Sequence, residues 1–131
     1  MTLGPRDALL YVVASGVGNF GLGVAAFYLN FVYRALGFGD LGIGALAAAQ
    51  AVGAVAAAVP AMRFAPGRSR RATILVGGTV TAAGLVGILA FDAFVPVFIA
   101  AVLFGAGGLT VSASGAALLA DATVATERAS L

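Results

Sequence analysis

Charged residues cut this chain into long apolar runs. They fall at Arg6 and Asp7, at Arg34 and Asp40, at Arg63, Arg68, Arg70 and Arg71, at Asp92, and at Asp121, Glu127 and Arg128. Between them lie four uncharged runs, 8–33, 41–62, 72–91 and 93–120, none shorter than 20 residues. At about 1.5 Å of rise per residue, each run as a helix crosses a hydrocarbon core roughly 30 Å thick. Lipid offers backbone N–H and C=O groups no partners, so helix is the only open-chain form for such a run. The pattern predicts an all-α polytopic membrane bundle with four transmembrane helices over those ranges, in a single transmembrane domain spanning 1–131. The first run is too long for the apolar part of a signal peptide, and no small-residue cleavage pattern closes it, so it reads as a retained span.

The connections between runs are short: 34–40, 63–71 and the single residue Asp92. Helices adjacent in sequence are therefore expected to be antiparallel neighbours. Alternation puts the N-terminus, the basic loop 63–71 and the C-terminus on one side, with six arginines against Arg34 alone on the other. The positive-inside rule makes the six-arginine side cytoplasmic. The expected placement is multi-pass in the cell membrane with a cytoplasmic N-terminus. Local signals suit these boundaries. Asp40 can cap the second helix, and Pro96 sits in the first turn of the fourth, where a missing N–H costs little. Pro60 marks the fraying end of the second.

Lipid tails are as apolar as leucine, so helices in a bilayer associate through close packing and hydrogen bonds. Small residues recur at a spacing of four: Ala49, Gly53 and Ala57 on helix two, and Gly108, Ser112, Ala116 and Ala120 on helix four. Both stripes are expected to pack against other helices. Helix one differs. At about 100° per residue, Tyr11, Ser15, Asn19, Asn30 and Tyr33 share an arc of roughly 100°. This stripe is either a source of interhelical hydrogen bonds, with tyrosines at the two interfaces, or the wall of a water-filled cavity. Asn19 is the amide nearest mid-span, and Gln50 lies at similar depth on helix two. Thr110 and Ser114 share a face of helix four with Gly107 and Asp121. The candidate cavity residues are thus Ser15, Asn19, Asn30, Gln50, Thr110 and Ser114.

Composition narrows the chemistry. The chain is 62% hydrophobic and 9% charged, with a mean hydropathy of +1.10. A soluble domain carries nearer a quarter of charged residues. There is no Cys, His or Lys. That removes thiol nucleophiles, zinc sites, His-based acid–base chemistry and the phosphate-loop lysine. No acid lies within a span, so no paired carboxylates are available for hydrolysis. No catalytic residue, metal or cofactor is expected. Gly16–Gly21 reads GVGNFG, which fits the dinucleotide pattern G-x-G-x-x-G. It lies inside an apolar span rather than between a strand and a helix, so it is set aside. The basic loop lacks the wider cationic surface and aromatics that nucleic acid requires. The expected partners are the lipid bilayer and a small-molecule substrate.

The segment PAMRFAPGRSRR, 60–71, resembles the signature between helices two and three of the major facilitator superfamily, approximately G-x-x-x-D-R-x-G-R-R. Aligned on Gly67, Arg68 matches, and Arg70 and Arg71 continue the basic run. Pro60, Phe64 and Ala65 replace the opening Gly, the Asp and the first Arg. YRALGFGDLGIGAL, with Gly37, Asp40 and Gly44, looks like that family's first external loop and the start of helix two. LFGAGGLTVSASGAALLADATVATERASL is similar to its fourth helix and exit, with Asp121 and then Glu127–Arg128; Ala101 stands where the family often has an Arg. The family's halves are built from three-helix inverted repeats, which makes helices one and four counterparts. Both are Gly-rich at their centres here, through Gly16, Gly18, Gly21 and Gly23 and through Gly105, Gly107, Gly108 and Gly115.

The resemblance implies the N-terminal third of a twelve-helix secondary carrier that moves a small solute by alternating access, of which an efflux permease is one form. The remaining helices of the same transporter would be required. It also implies a cytoplasmic gate formed by Gly67, Arg68, Arg70 and Arg71 with Asp121, and a pairing of Arg68 with Asp121 is the specific expectation. Another reading of the same arginines is that they only fix orientation and touch anionic headgroups. The alternatives for the whole chain are a complete four-helix membrane protein with a scaffold or assembly role, and a truncated, non-functional transporter.

Overall fold

The computed structural model describes residues 4–64 and 70–129. Four helices follow one another: α1 (Pro5–Ala35), α2 (Asp40–Phe64), α3 (Arg70–Ala90) and α4 (Phe94–Ala129), with no strand among the described residues. Each contains a segment long and apolar enough to cross a membrane: Leu9–Ala35, Asp40–Ala61, Arg70–Ala90 and Phe94–Ala117. The chain is a multi-pass helical membrane protein.

Helix ends follow from local chemistry. α1 begins with Pro5 in its first turn and Asp7 close behind, and it ends near Arg34, so both charges oppose the helix dipole. Its C-terminus closes in a Schellman motif. Phe38 N–H donates to Tyr33 O at 3.1 Å and Gly37 N–H to Arg34 O at 3.0 Å. Gly37 takes φ +83° there, a conformation that glycine adopts without steric cost. The first bond of α2 runs from Ile43 N–H to Gly39 O at 2.9 Å. Gly39 therefore occupies the capping position expected of Asp40, and Asp40 lies in the first turn, where its charge meets the dipole.

Two other expected boundaries shift. Pro60 lies inside α2, which runs on to Phe64. A proline four residues from a helix end removes one ladder bond, and the chain beyond it can stay helical. α4 does not stop at Ala120; it continues through Asp121 to Ala129, 36 residues in all. At 1.5 Å per residue that is about 54 Å, well beyond a hydrocarbon core. Charges end a membrane span, but they do not end a helix.

α4 is the central element. α2 and α3 pack along it, while α1 meets α4 and α2 far more sparingly. Backbones approach closely at both main crossings. A Cβ on Gly53 of α2 would collide with the Val102 carbonyl of α4, and one on Gly105 of α4 would collide with the Gln50 carbonyl of α2. Gly84 of α3 sits equally tightly against Ala100 and Phe104, and Gly107 of α4 against Gly77 and Thr81. These are the contacts by which helices associate in lipid. Ala49 and Gly53 of the expected α2 stripe are buried in this packing. The α4 stripe is not: Ser112 and Ala116 are exposed, and a Cβ on Gly108 would meet open space. α4 carries small residues on several faces, and the packed ones are those of Ala101, Gly105 and Gly107.

The buried core comprises Leu29, Tyr33, Leu46, Ala49, Ile88, Val97, Ala100, Ala101 and Phe104. All lie toward the C-terminal ends of α1 and α3 or the N-terminal halves of α2 and α4, so the core sits at the Arg34–Asp92 end of the bundle. Tyr33, at 1% exposure, is part of it. It is not the interfacial tyrosine expected at the end of the first span. From Pro5 to Tyr28 no described residue of α1 is buried.

Candidate functional site

α1 is buried against the bundle only toward its C-terminal end, at Leu29 and Tyr33, and its first turns touch α4 at single side chains and leave a gap toward α3 and α4. A cleft of about 790 Å³ lies between the three helices. α1 lines it with Tyr11, Ser15, Gly18, Asn19 and Leu22, α3 with Ile74, Gly78, Thr81 and Leu85, and α4 with Phe104, Val111, Ser112, Gly115 and Ala116, among others. Leu22, Ala25 and Leu85 pack on the core together with Phe104 and floor the cleft at the Arg34–Asp92 end.

Two of the six candidate cavity residues, Ser15 and Asn19, line this cleft. Asn19 lies about one turn from the middle of the Leu9–Ala35 span. Across the cleft, Ser112 Oγ donates to Asn19 Oδ1 at 3.5 Å, a long contact that leaves both groups exposed. Near the opposite end from the floor, Tyr11 reaches over to α4. Its hydroxyl occupies the space where a Cβ of Gly115 would be, 2.6 Å away. Thr81 faces the cleft, but its hydroxyl donates to Gly77 O at 2.9 Å.

The other four candidates lie elsewhere. Gln50 Nε2 donates to Tyr33 Oη at 3.1 Å, tying α2 to α1 beside the core. Thr110 donates to Ala106 O at 2.8 Å and packs its methyl against Gly77; an intrahelical bond takes up its polarity. Ser114 is half-buried on α4 and is absent from the cleft wall. Asn30 is exposed on the far side, in a smaller depression of about 330 Å³ with Phe27, Phe31, Arg34, Asp40 and Ile43. The expected polar stripe on α1 thus divides: its first three members face the cleft, Tyr33 joins the core, and Asn30 turns outward. Asn30 is eleven positions beyond Asn19 and only about 20° away in helical phase; the split arises because the cleft wall on α1 ends at Ala25, beyond which α1 meets different neighbours.

Of the gating residues, Gly67 and Arg68 lie outside the described residues. The expected Arg68–Asp121 pairing therefore also lies outside the described residues; among them Asp121 pairs with Arg70, whose Nη1 stands 2.5 Å from Asp121 Oδ2. The same nitrogen donates to Ala117 O at 2.8 Å, one turn earlier on α4. Arg71, the next residue, is exposed. The start of α3 is therefore joined to α4 by a charged clamp just beyond the Tyr11 end of the cleft. At the opposite end Arg34 and Asp40 pair at 3.4 Å, both largely solvated.

Ser112 and Ala116 line the cleft although sequence periodicity put them in a packing stripe, and Tyr11, a member of the polar stripe, lines it without having been among the six candidates. Ser112 carried one usable signal, a hydroxyl on a face of otherwise small apolar residues. The contact of Tyr11 with Gly115 joins residues 104 positions apart, and nothing local encodes it. No known protein family, curated protein or solved structure matches this chain.

Proposed function

We propose that the chain forms part of an alternating-access secondary carrier of the major facilitator type, moving a small solute across the cell membrane, with its N-terminus, basic loop and Arg70–Asp121 clamp on the cytoplasmic side. The observation that carries the proposal is the cleft. It is closed at one end by the core and walled by the two Gly-rich helices that the family resemblance pairs, and it presents Asn19 near mid-membrane. An amide exposed at that depth has no place against lipid; it requires water, a protein partner or a bound solute. Binding at the midplane between helices that rock is how such carriers work. The remaining helices of the carrier would complete the pathway. Apart from Asp40 at the very start of the second, no acid lies within these four spans, so any proton or ion coupling is assigned to those helices.

The natural absence of cysteine makes the test direct. Single cysteines at Ser15, Asn19 and Ser112 should react with a membrane-impermeant maleimide applied from the cytoplasmic side, and a cysteine at Asp92 only from outside. If the three cleft positions stay unreactive from both sides while loop positions react, the cleft is not a water-accessible pathway. A packing or scaffold role then replaces the carrier reading. Reaction of Asp92→Cys from the cytoplasmic side alone would invert the orientation.

A further inference from the structure

Among the described residues, the cleft wall contains no carboxylate, guanidinium or amine. The clamp at its end is satisfied within itself, Arg70 by Asp121 and by the Ala117 carbonyl. An ionised group seated against this wall would give up part of its hydration and find no opposite charge there in return. The wall is not wholly apolar, however. Asn19 and Ser112 face each other across it at 3.5 Å, and among the described residues the Asn19 amide nitrogen donates to nothing. Ser15 lies one turn from Asn19 on the same wall. Hydrogen-bonding capacity is thus gathered at one level, with apolar surface on both sides of it: Leu22, Leu85 and Phe104 toward the floor, Ile74 and Ala116 toward the Tyr11 end. A volume near 790 Å³ is of the order that holds drug-sized ligands.

We propose that this cleft binds an uncharged, amphipathic solute, whose hydrogen-bonding group meets Asn19 and Ser112 and whose apolar body lies against Leu85 and Phe104. The inference rests on reading the cleft as a solute site and adds the class of solute. The glycines sharpen it. A Cβ at Gly18 would meet nothing within 4 Å, so the cleft keeps open space there that helix packing does not demand.

The test uses the full chain in lipid nanodiscs and three matched photoprobes: 4-(hydroxymethyl)benzophenone, its carboxylate counterpart 4-benzoylbenzoate, and its trimethylammonium counterpart. Crosslinks are mapped by mass spectrometry with excess unlabelled probe as competitor. The alcohol should label the cleft-lining parts of α1, α3 and α4 saturably, about tenfold more than either ion. Gly18→Leu, whose Cβ would meet nothing within 4 Å, should abolish that labelling while helical circular dichroism is unchanged. Asn19→Leu should weaken it roughly threefold to tenfold, the worth of one hydrogen bond. If an ionic probe labels the cleft as well as the alcohol does, the solute class is wrong and the cleft as a solute site stands. If no probe labels it saturably, both fail. Labelling that neither Gly18→Leu nor Asn19→Leu changes reports contact from the lipid phase, such as an acyl chain in the groove, and overturns the proposal.

Discussion

Two pairs of residues show how the same side chain type does opposite work at different depths. Tyr33 is buried and receives a hydrogen bond from Gln50; Tyr11 lies at the other end of α1 with its hydroxyl over Gly115. Tyr33→Phe keeps the ring and removes the bond. Polar contacts between membrane helices average about 0.6 kcal/mol, so we expect a loss of about that size in reversible unfolding by denaturing detergent. A loss of several kcal/mol would mean the ring itself had moved. The glycines give a sharper contrast. Gly105→Leu puts a side chain where the Gln50 carbonyl already stands and should destabilise by at least the 1–3 kcal/mol typical of overpacking. At Gly18 a Cβ would meet nothing within 4 Å, so Gly18→Leu should be close to neutral in the same assay. Equal effects of the two substitutions would contradict the α2–α4 crossing described above.

At the scale of elements, α4 outruns its membrane span and offers its last turns to α3. The Arg70–Asp121 pair is partly solvated, with side-chain exposures of 38% and 67%, so its contribution to stability should be about 1 kcal/mol or less. Its value as a joint is better tested by a cycle. Arg70→Asp and Asp121→Arg should each loosen the α3–α4 end, read as faster proteolysis there, and the double exchange should recover much of the loss. If the double variant is no better than the singles, the pair does not act as a clamp. The four spans were legible in the sequence because charge spacing and bilayer thickness leave little choice. The true length of α4 was not, since hydropathy marks where lipid ends and says nothing of a helix continuing in water. Nor could spacing decide which of α4's small-residue faces is packed: Gly108–Ser112–Ala116 has the right period, yet the partners lie on the sides of Gly105 and Gly107.

For the molecule as a whole, the decisive arrangement is a core confined to one end, with a cleft at the other. Of the candidates read from the sequence, Ser15 and Asn19 line this cleft and Gln50, Thr110, Ser114 and Asn30 do not. Polarity at a given depth does not reveal whether a hydroxyl is bonded to its own helix, or which neighbour a face meets. A pair of spin labels at Val12 and Ala116 should therefore report a broader distance distribution than a pair at Leu36 and Asp92. Equal widths would show α1 to be fixed along its whole length. Mechanically, α1 is a lever. Its anchor at Tyr33 and its tip at Tyr11 are 22 residues, about 33 Å, apart. A tilt of roughly 10° about the anchor, small enough to leave the Tyr33–Gln50 bond in reach, would carry the tip about 6 Å, lifting Tyr11 clear of Gly115.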